Sequence, residues 1–419
     1  MFRTTIAVLV SAIVTIAVVG AQSSGSAMLD AVHYATATPD DPVARLQKKL
    51  DAGTATLVFD KDRGYLPAVL RALDVPVSSQ GLVFSRTSLQ VDRIAPWSPR
   101  AIYFNDDVYV GWVQNGPIME VASVDPVLGG VFYTLRQEAA DHPVFERQTQ
   151  QCLQCHDSSS STGGVPGFIM RSVVPDRYGY VMAAGDPTTD RTPLEKRWGG
   201  WYVTGTLGDR PHAGNVNAPV LTSEAGNVQV YLARAKLLSK KDVVDLKSRF
   251  DVDPYLAPHS DAVALLVLAH QASVHNLITD AGYQARLAGD VLDMRAKGAA
   301  ERLLRAMLFV DAAPIGGPVK GTSPFAEEFP KSGPRDAKGR SLRDLDLTDR
   351  LFRYPLSYLV YSEAFDALPA PTKKYVYERL DAVLDGADTA PEFGHLSPAD
   401  RAAVREILEE TKPDFGSAR

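Results

Sequence analysis

Cys152-Leu153-Gln154-Cys155-His156 places two thiols three residues apart, with an imidazole directly after the second. Few short patterns bind a chain so closely to one chemistry. Two thioethers to the two vinyl groups of a porphyrin need this spacing, and the next side chain is then carried under the ring. There His156 can ligate iron from the proximal side. The pentapeptide therefore reads as an attachment site for haem c, one per chain. These are the only two cysteines in 419 residues, so none is left for a disulfide framework or a cysteine-rich metal cluster.

Three other readings compete. A thioredoxin-like dithiol asks for the pair at the start of a helix in a βαβ unit. Here the pair follows the polar run 146–151 and precedes Asp157 and four serines. A structural zinc site needs two more ligands, and the nearest candidates, His270 and His275, lie more than a hundred residues away. The third reading is two ordinary cysteines beside a histidine. Haem attachment is the expectation taken forward, because the amino terminus supports it.

Arg3 is followed by Thr4 to Gly20, apolar apart from Thr and Ser, and Val19-Gly20-Ala21 offers small residues at a cleavage site. This order is that of a secretory signal over 1–21. An uncleaved anchor is the alternative, since about 18 apolar residues are near the lower limit for a span. The expectation is a periplasmic protein, soluble after cleavage, with membrane association through the uncleaved segment as the alternative. Export and CxxCH agree, because haem c is attached outside the bacterial cytoplasm. An exported chain with two cysteines and no disulfide partner is otherwise unusual.

Net charge is −6, and the basic residues form no stripe, which argues against nucleic acid as a partner and leaves redox partner proteins. The pattern along the chain predicts an α+β fold. It comprises a β-rich N-terminal part, a loop-rich cytochrome c-like haem region and a mainly α-helical C-terminal part. The expected divisions are a linker over 22–41, an α/β part over 42–140, the haem region over 141–235 and helices over 236–419. Asp41 and Pro42 signal the start of a helix running to Leu50. Ala101–Phe104 and Val108–Val113 around Asn105-Asp106-Asp107 predict a hairpin, with the two acids as turn residues and a catalytic or metal pair as the alternative. Val131–Leu135 is another β-like run. The stretch 162–217, rich in Gly, Pro and aromatic residues, predicts irregular loops suited to walling a flat cofactor. Helices are expected over 239–250, over 261–288 as a buried element because its run Ala262–Ala269 is apolar on all sides, and after Ser397-Pro398-Ala399-Asp400, with a loop insertion over 314–340.

At Cys152–His156 and Gly163-Gly164-Val165-Pro166-Gly167 the chain resembles the c-type cytochromes over about sixty residues. As a whole it is similar to large, mostly uncharacterised bacterial proteins with a cytochrome c domain, in which runs like Arg197–Tyr202 and Tyr361–Phe365 recur. In small cytochromes of this type a proline carbonyl about ten residues after the haem histidine orients its imidazole. The resemblance gives that role to Pro166.

The second axial ligand separates carrier from catalyst. Met170 and Met182 lie 14 and 26 residues after His156, close for the usual methionine ligand. His212, 56 residues downstream in a Pro/Gly/Asn loop, is the first choice. His270 and His275 follow; five residues place them about 140° apart on a helix, so only one could face a haem. Arg171, Arg197 and Trp198 are candidates for contacts to the propionates. The leading expectation is an exported monohaem cytochrome that transfers single electrons. A haem oxidoreductase, peroxidase-like with an open axial position, is the alternative, as is a haem sensor or envelope component. No GxGxxG, Walker or Ser-His-Asp pattern stands out.

Overall fold

The structure, a computed structural model, describes residues 27–208, 210–216 and 242–417. The expected export signal lies outside the described residues, as does the expected boundary at 235/236. The chain is α+β, with an antiparallel sheet in its N-terminal part and mostly helices after residue 261.

Helix α1 (Pro42–Asp51) forms for local reasons. The Asp41 carboxylate accepts the Val43 and Ala44 N–H groups at 2.8 and 3.1 Å, and Pro42 fills a first-turn position whose N–H would go unpaired. Val43, Leu46 and Leu50 recur at helical spacing and are buried. Asp41 is itself buried and receives the Tyr133 hydroxyl at 2.5 Å. Residues 27–41 are therefore no loose linker. Met28, Val32 and Tyr34 join the core, and the Tyr34 hydroxyl donates to the Gly130 carbonyl at 2.7 Å.

The sheet holds β1 (Gly81–Val83), β2 (Arg100–Phe104), β3 (Val108–Trp112), β4 (Ile118–Asp125), β5 (Gly129–Arg136), β6 (Phe145–Arg147) and β9 (Trp201–Tyr202) in the order β6-β5-β4-β3-β2-β1-β9. Asn105 closes the β2–β3 hairpin as an Asx turn, accepting the Asp107 and Val108 N–H groups at 3.1 and 2.9 Å. The expected haem region is not a separate body, because β6 and β9 form the two edges of this sheet. Within the stretch expected to be irregular, β7 (Arg171–Pro175) and β8 (Val181–Pro187) make a second, two-stranded sheet.

Pairing register sorts the side chains by face. Val83, Arg100, Gly111, Glu120 and Thr134 fall on one face, with Ile102, Tyr109, Ala122 and Phe132. Leu82, Ala101, Val110, Val121 and Leu135 fall on the other, packed with α1 and α2 (Leu66–Ala72). The first face is covered at one end by α4 (Ala262–Leu287), joined there by Phe104, Tyr109 and Val124. Helix α4 opens on the all-apolar run Ala262–Ala269, is buried along most of its length and is capped by Asp261 as expected. It is long and apolar enough to cross a membrane, yet 89% of its most apolar window is buried inside the protein, as in a core helix.

Helices α5 (Met294–Met307) and α6 (Ala370–Asp385) pack against α4, and α7 (Pro398–Thr411), which opens on the capping box of Ser397 and Asp400, packs against α6. The helix expected over 239–250 is absent from 242–250, which form a bridge and a turn. There Leu246 is pulled inward and Gly205 bonds the Val243 carbonyl, which competes with a continuous helix. The insertion 314–340 is irregular apart from helical turns over Phe325–Glu328 and Phe329–Lys331, and it is anchored, with Ile315, Val319, Phe325 and Phe329 buried.

Candidate functional site

After β6 the chain turns into a single helical turn, α3 (Leu153–His156), with Cys152 as its cap. The His156 N–H bonds the Cys152 carbonyl at 3.0 Å, and Leu153 anchors the turn in the core. Cys152, Cys155 and His156 all line one cavity of about 680 Å³. That volume falls within the roughly 300–1,000 Å³ typical of cofactor sites. Its floor is the uncovered end of the first sheet face, where Gly111 and Ala122 leave room between Arg100, Glu120 and Phe132. Val83, Trp201, Arg171, Ser158, Ser160 and Ser161 complete much of the wall.

His156 is held on one side. Its Nδ1 lies 2.8 Å from the Gly167 carbonyl oxygen, and the Gly167 N–H returns to the His156 carbonyl at 2.9 Å. Nδ1 therefore carries the proton, and Nε2 is the nitrogen left with a lone pair. Burial holds this imidazole below its ordinary pKa, which keeps it neutral and able to bind a metal. The carbonyl expected from Pro166 comes instead from the next residue. Pro166 turns its carbonyl to the Gly130 N–H at 2.9 Å, fixing the loop to β5.

The thiols are not poised as a redox pair. Burial, with Glu120 and Cys155 adding repulsion, pushes the Cys152 thiol up to about 11. A catalytic dithiol needs the opposite shift. The βαβ setting is also missing, since the cysteines follow an edge strand of an antiparallel sheet. Zinc fares no better. Among the described residues no three His, Cys, Asp or Glu side chains gather into a metal-holding group.

The other candidates lie elsewhere. All eight histidines and every methionine except Met1 are described, and of these only His156 lines the cavity. His212 is buried behind the 197–201 segment. Its ring meets Trp198 edge-on at 5.5 Å, and its Nδ1 accepts the Gly214 N–H at 3.0 Å. Its loop bonds back through Ala213 to Arg197 and through Asn215 to Trp201, which draws it away from the motif. Met170 is a core residue, and Met182 is 46% exposed on β8. His275 donates from Nε2 to the Asp106 carbonyl at 2.8 Å and sits behind Phe168, which stacks on the cavity residue Tyr109.

Trp198 is fully buried and also off the cavity wall. The tryptophan that does line it, Trp201, already donates to the Arg171 carbonyl at 3.0 Å. Arg197 is buried on backbone carbonyls of Thr192 and Asp190. Arg171 reaches the cavity, bonds the Ser161 hydroxyl and keeps its buried Nε without a partner. A carboxylate entering here could be met by that guanidinium and the neighbouring serines.

Two arrangements were not legible in the sequence. Arg100 and Glu120 form an ion pair at 3.1 Å on the cavity floor, joined across β3 by register. Asp190, His270 and Ser357 make the second, with His270 Nδ1 2.7 Å from the carboxylate and Nε2 2.8 Å from the hydroxyl. Its order is that of an acid–base–nucleophile relay. However, His270 and Ser357 are fully buried, and Phe309, Phe352 and Tyr358 surround the imidazole. No substrate reaches that hydroxyl. The relay ties α4 to two loops.

Comparison of the chain with family models, with curated proteins and with solved structures gives no match.

Proposed function

We propose that this chain is an exported monohaem c-type protein whose iron keeps an open axial position, and that it acts on or senses a small molecule there. One observation carries the reading. The CxxCH turn opens into a cavity of cofactor size in which, among the described residues, His156, tied through Nδ1, is the only histidine and no methionine is present. Cys152 and Cys155 would hold the macrocycle, and His156 would ligate the iron. Gly111 and Ala122 leave space for a flat ring over the sheet, and Arg171 with Ser161 suits its carboxylates. A simple carrier with His212 as second axial ligand has less support, because that side chain packs behind Trp198.

Haem supplies one-electron redox chemistry and a site for small ligands. The chain's own residues do the rest. Gly167 holds a proton on Nδ1 and so fixes which nitrogen is basic. Tyr109, Phe132 and Trp201 give the cavity an aromatic, apolar lining. Arg3 and the apolar run behind it support export.

The test is expression of the full chain with haem-attachment machinery. Haem stain should survive denaturing electrophoresis, and Cys152→Ser with Cys155→Ser should abolish it. The ferric spectrum should be high-spin. Absence of stain would overturn the assignment, whereas a low-spin spectrum in the stained protein would return it to an electron carrier.

A further inference from the structure

The cavity floor carries one polar feature that haem attachment leaves unused. Glu120 is held in place from three sides. Arg100 Nη1 donates to its Oε2 at 3.1 Å, and Ser88 Oγ donates to its Oε1 at 2.9 Å, with Gln90 Nε2 more distant at 3.4 Å. Both members of the pair are mostly withdrawn from water, at 15% and 20% side-chain exposure. Arg100 Nε is buried and has no partner. Arg100, Glu120 and His156 line the same cavity, so the pair and the imidazole share one compartment. A charged pair of this kind, placed in an otherwise largely apolar floor, is costly unless a ligand uses it.

Resting on the open-site reading, we infer that Arg100 and Glu120 admit a small weak acid, HX, and retain its anion beside the iron. The exchange balances without any other reactant. The H–X bond breaks, its proton goes to the Glu120 carboxylate, and X⁻ replaces that carboxylate as the counter-ion of Arg100. Charge in the cavity is the same before and after, so no bare charge is buried. Ser88 keeps Glu120 in reach, and the Arg100 guanidinium, which lines the cavity, supplies the donors for the incoming anion. A neutral ligand that brings no proton gains nothing from the pair. The ligand class is therefore small protic acids, such as hydrogen cyanide, hydrazoic acid or a hydroperoxide, in preference to diatomic gases.

Cyanide added to the ferric haem-loaded full chain tests this, with carbon monoxide on the reduced protein as the ligand that carries no proton. Glu120→Gln should slow cyanide binding by about 100-fold, the usual scale for loss of a positioned base. Arg100→Met should weaken cyanide by roughly 10- to 100-fold, as expected for a lost charge-assisted hydrogen bond. Carbon monoxide binding should change by less than about threefold in either, well below that scale. Should either variant fail to fold, Ser88→Ala keeps both charges and should still slow cyanide several-fold. Cyanide rates and affinities unchanged in the variants, with carbon monoxide still binding, would overturn the inference alone. A chain that takes up no haem would overturn the open-site reading beneath it, and the inference with it.

Discussion

His156 and Gly167 hold each other through two hydrogen bonds, side chain to carbonyl at 2.8 Å and N–H to carbonyl at 2.9 Å. They stand eleven positions apart, so the loop 157–166 is closed at its base by the residue it serves. Asn276 of α4 clamps the next residue, accepting the Phe168 N–H and donating to the Phe168 carbonyl, both at 2.8 Å. The imidazole is thereby indexed to the core helix.

Removing the clamp tests this chain of support. Asn276→Ala leaves a buried N–H and a buried carbonyl unpaired, and should cost about 2–4 kcal/mol. Denaturant unfolding checks the magnitude. Gly167→Ala should be destabilising by the same route, since a Cβ there would lie 2.3 Å from the Asn276 Oδ1.

Gly111 offers a way to close the cavity without disturbing its walls. A Cβ at this position meets nothing nearer than the Glu120 carbonyl at 3.5 Å, and the backbone needs no positive φ. Gly111→Leu should therefore fold with a melting temperature within about 5 °C of the parent, aided by the better strand propensity. Haem incorporation, read by stain against total protein, should fall at least tenfold on the scale of a one-side-chain steric loss. Normal incorporation would show that the cofactor lies elsewhere.

Much of this was legible because it is local. Asp41-Pro42, Asn105, Asp261 and Ser397 act on backbone groups within three residues, and the elements they start lie where the sequence places them. The CxxCH turn is local too. Its surroundings are not. His212 has a loop setting suited to an axial ligand, but which side of Trp198 it packs against depends on Asn215 and Ala213 bonding back to 197–201. Arg100 and Glu120 sit on strands separated by β3, and only register across Gly111 brings them together. Pro166 and Gly167 differ by one residue, and the Gly130 N–H decides between their carbonyls.

Two buried histidines, His212 and His275, contribute strongly to the acid limb of stability. Desolvation lowers His212 and His275 to about 4 in the folded chain. Above about pH 7.5 both are neutral in folded and unfolded chains alike, so stability there does not depend on them. As pH falls from 6.5 toward 4, the unfolded chain takes up protons that the native state refuses. Stability should drop across that window by about 3 kcal/mol per histidine. Urea midpoints at pH 7.5, 5.5 and 4.5 measure the slope, and His275→Gln should make it shallower even where it lowers stability at pH 7.5.

Arg343 joins the hairpin tip to the helical half, and its geometry predicts that lysine cannot replace it. The guanidinium donates to both Asp106 oxygens at 2.8 and 2.9 Å and to the Phe329 carbonyl at 3.0 Å. It also lies over the Phe329 and Tyr358 rings at 4.1 and 4.4 Å from their centroids. Its side chain is only 6% exposed, although Asp106 remains 44% exposed and partly screened. An ammonium keeps the charge but loses the fork and the stacking, so Arg343→Lys should cost about 2 kcal/mol, below the 3–5 of a fully buried pair. Arg302, paired with Asp280 at 2.6 Å but 55% exposed, is the comparison. Arg302→Lys should change stability by less than about 1 kcal/mol. Equal effects of the two substitutions on the urea midpoint would refute the role given to Arg343, since charge alone would then account for both.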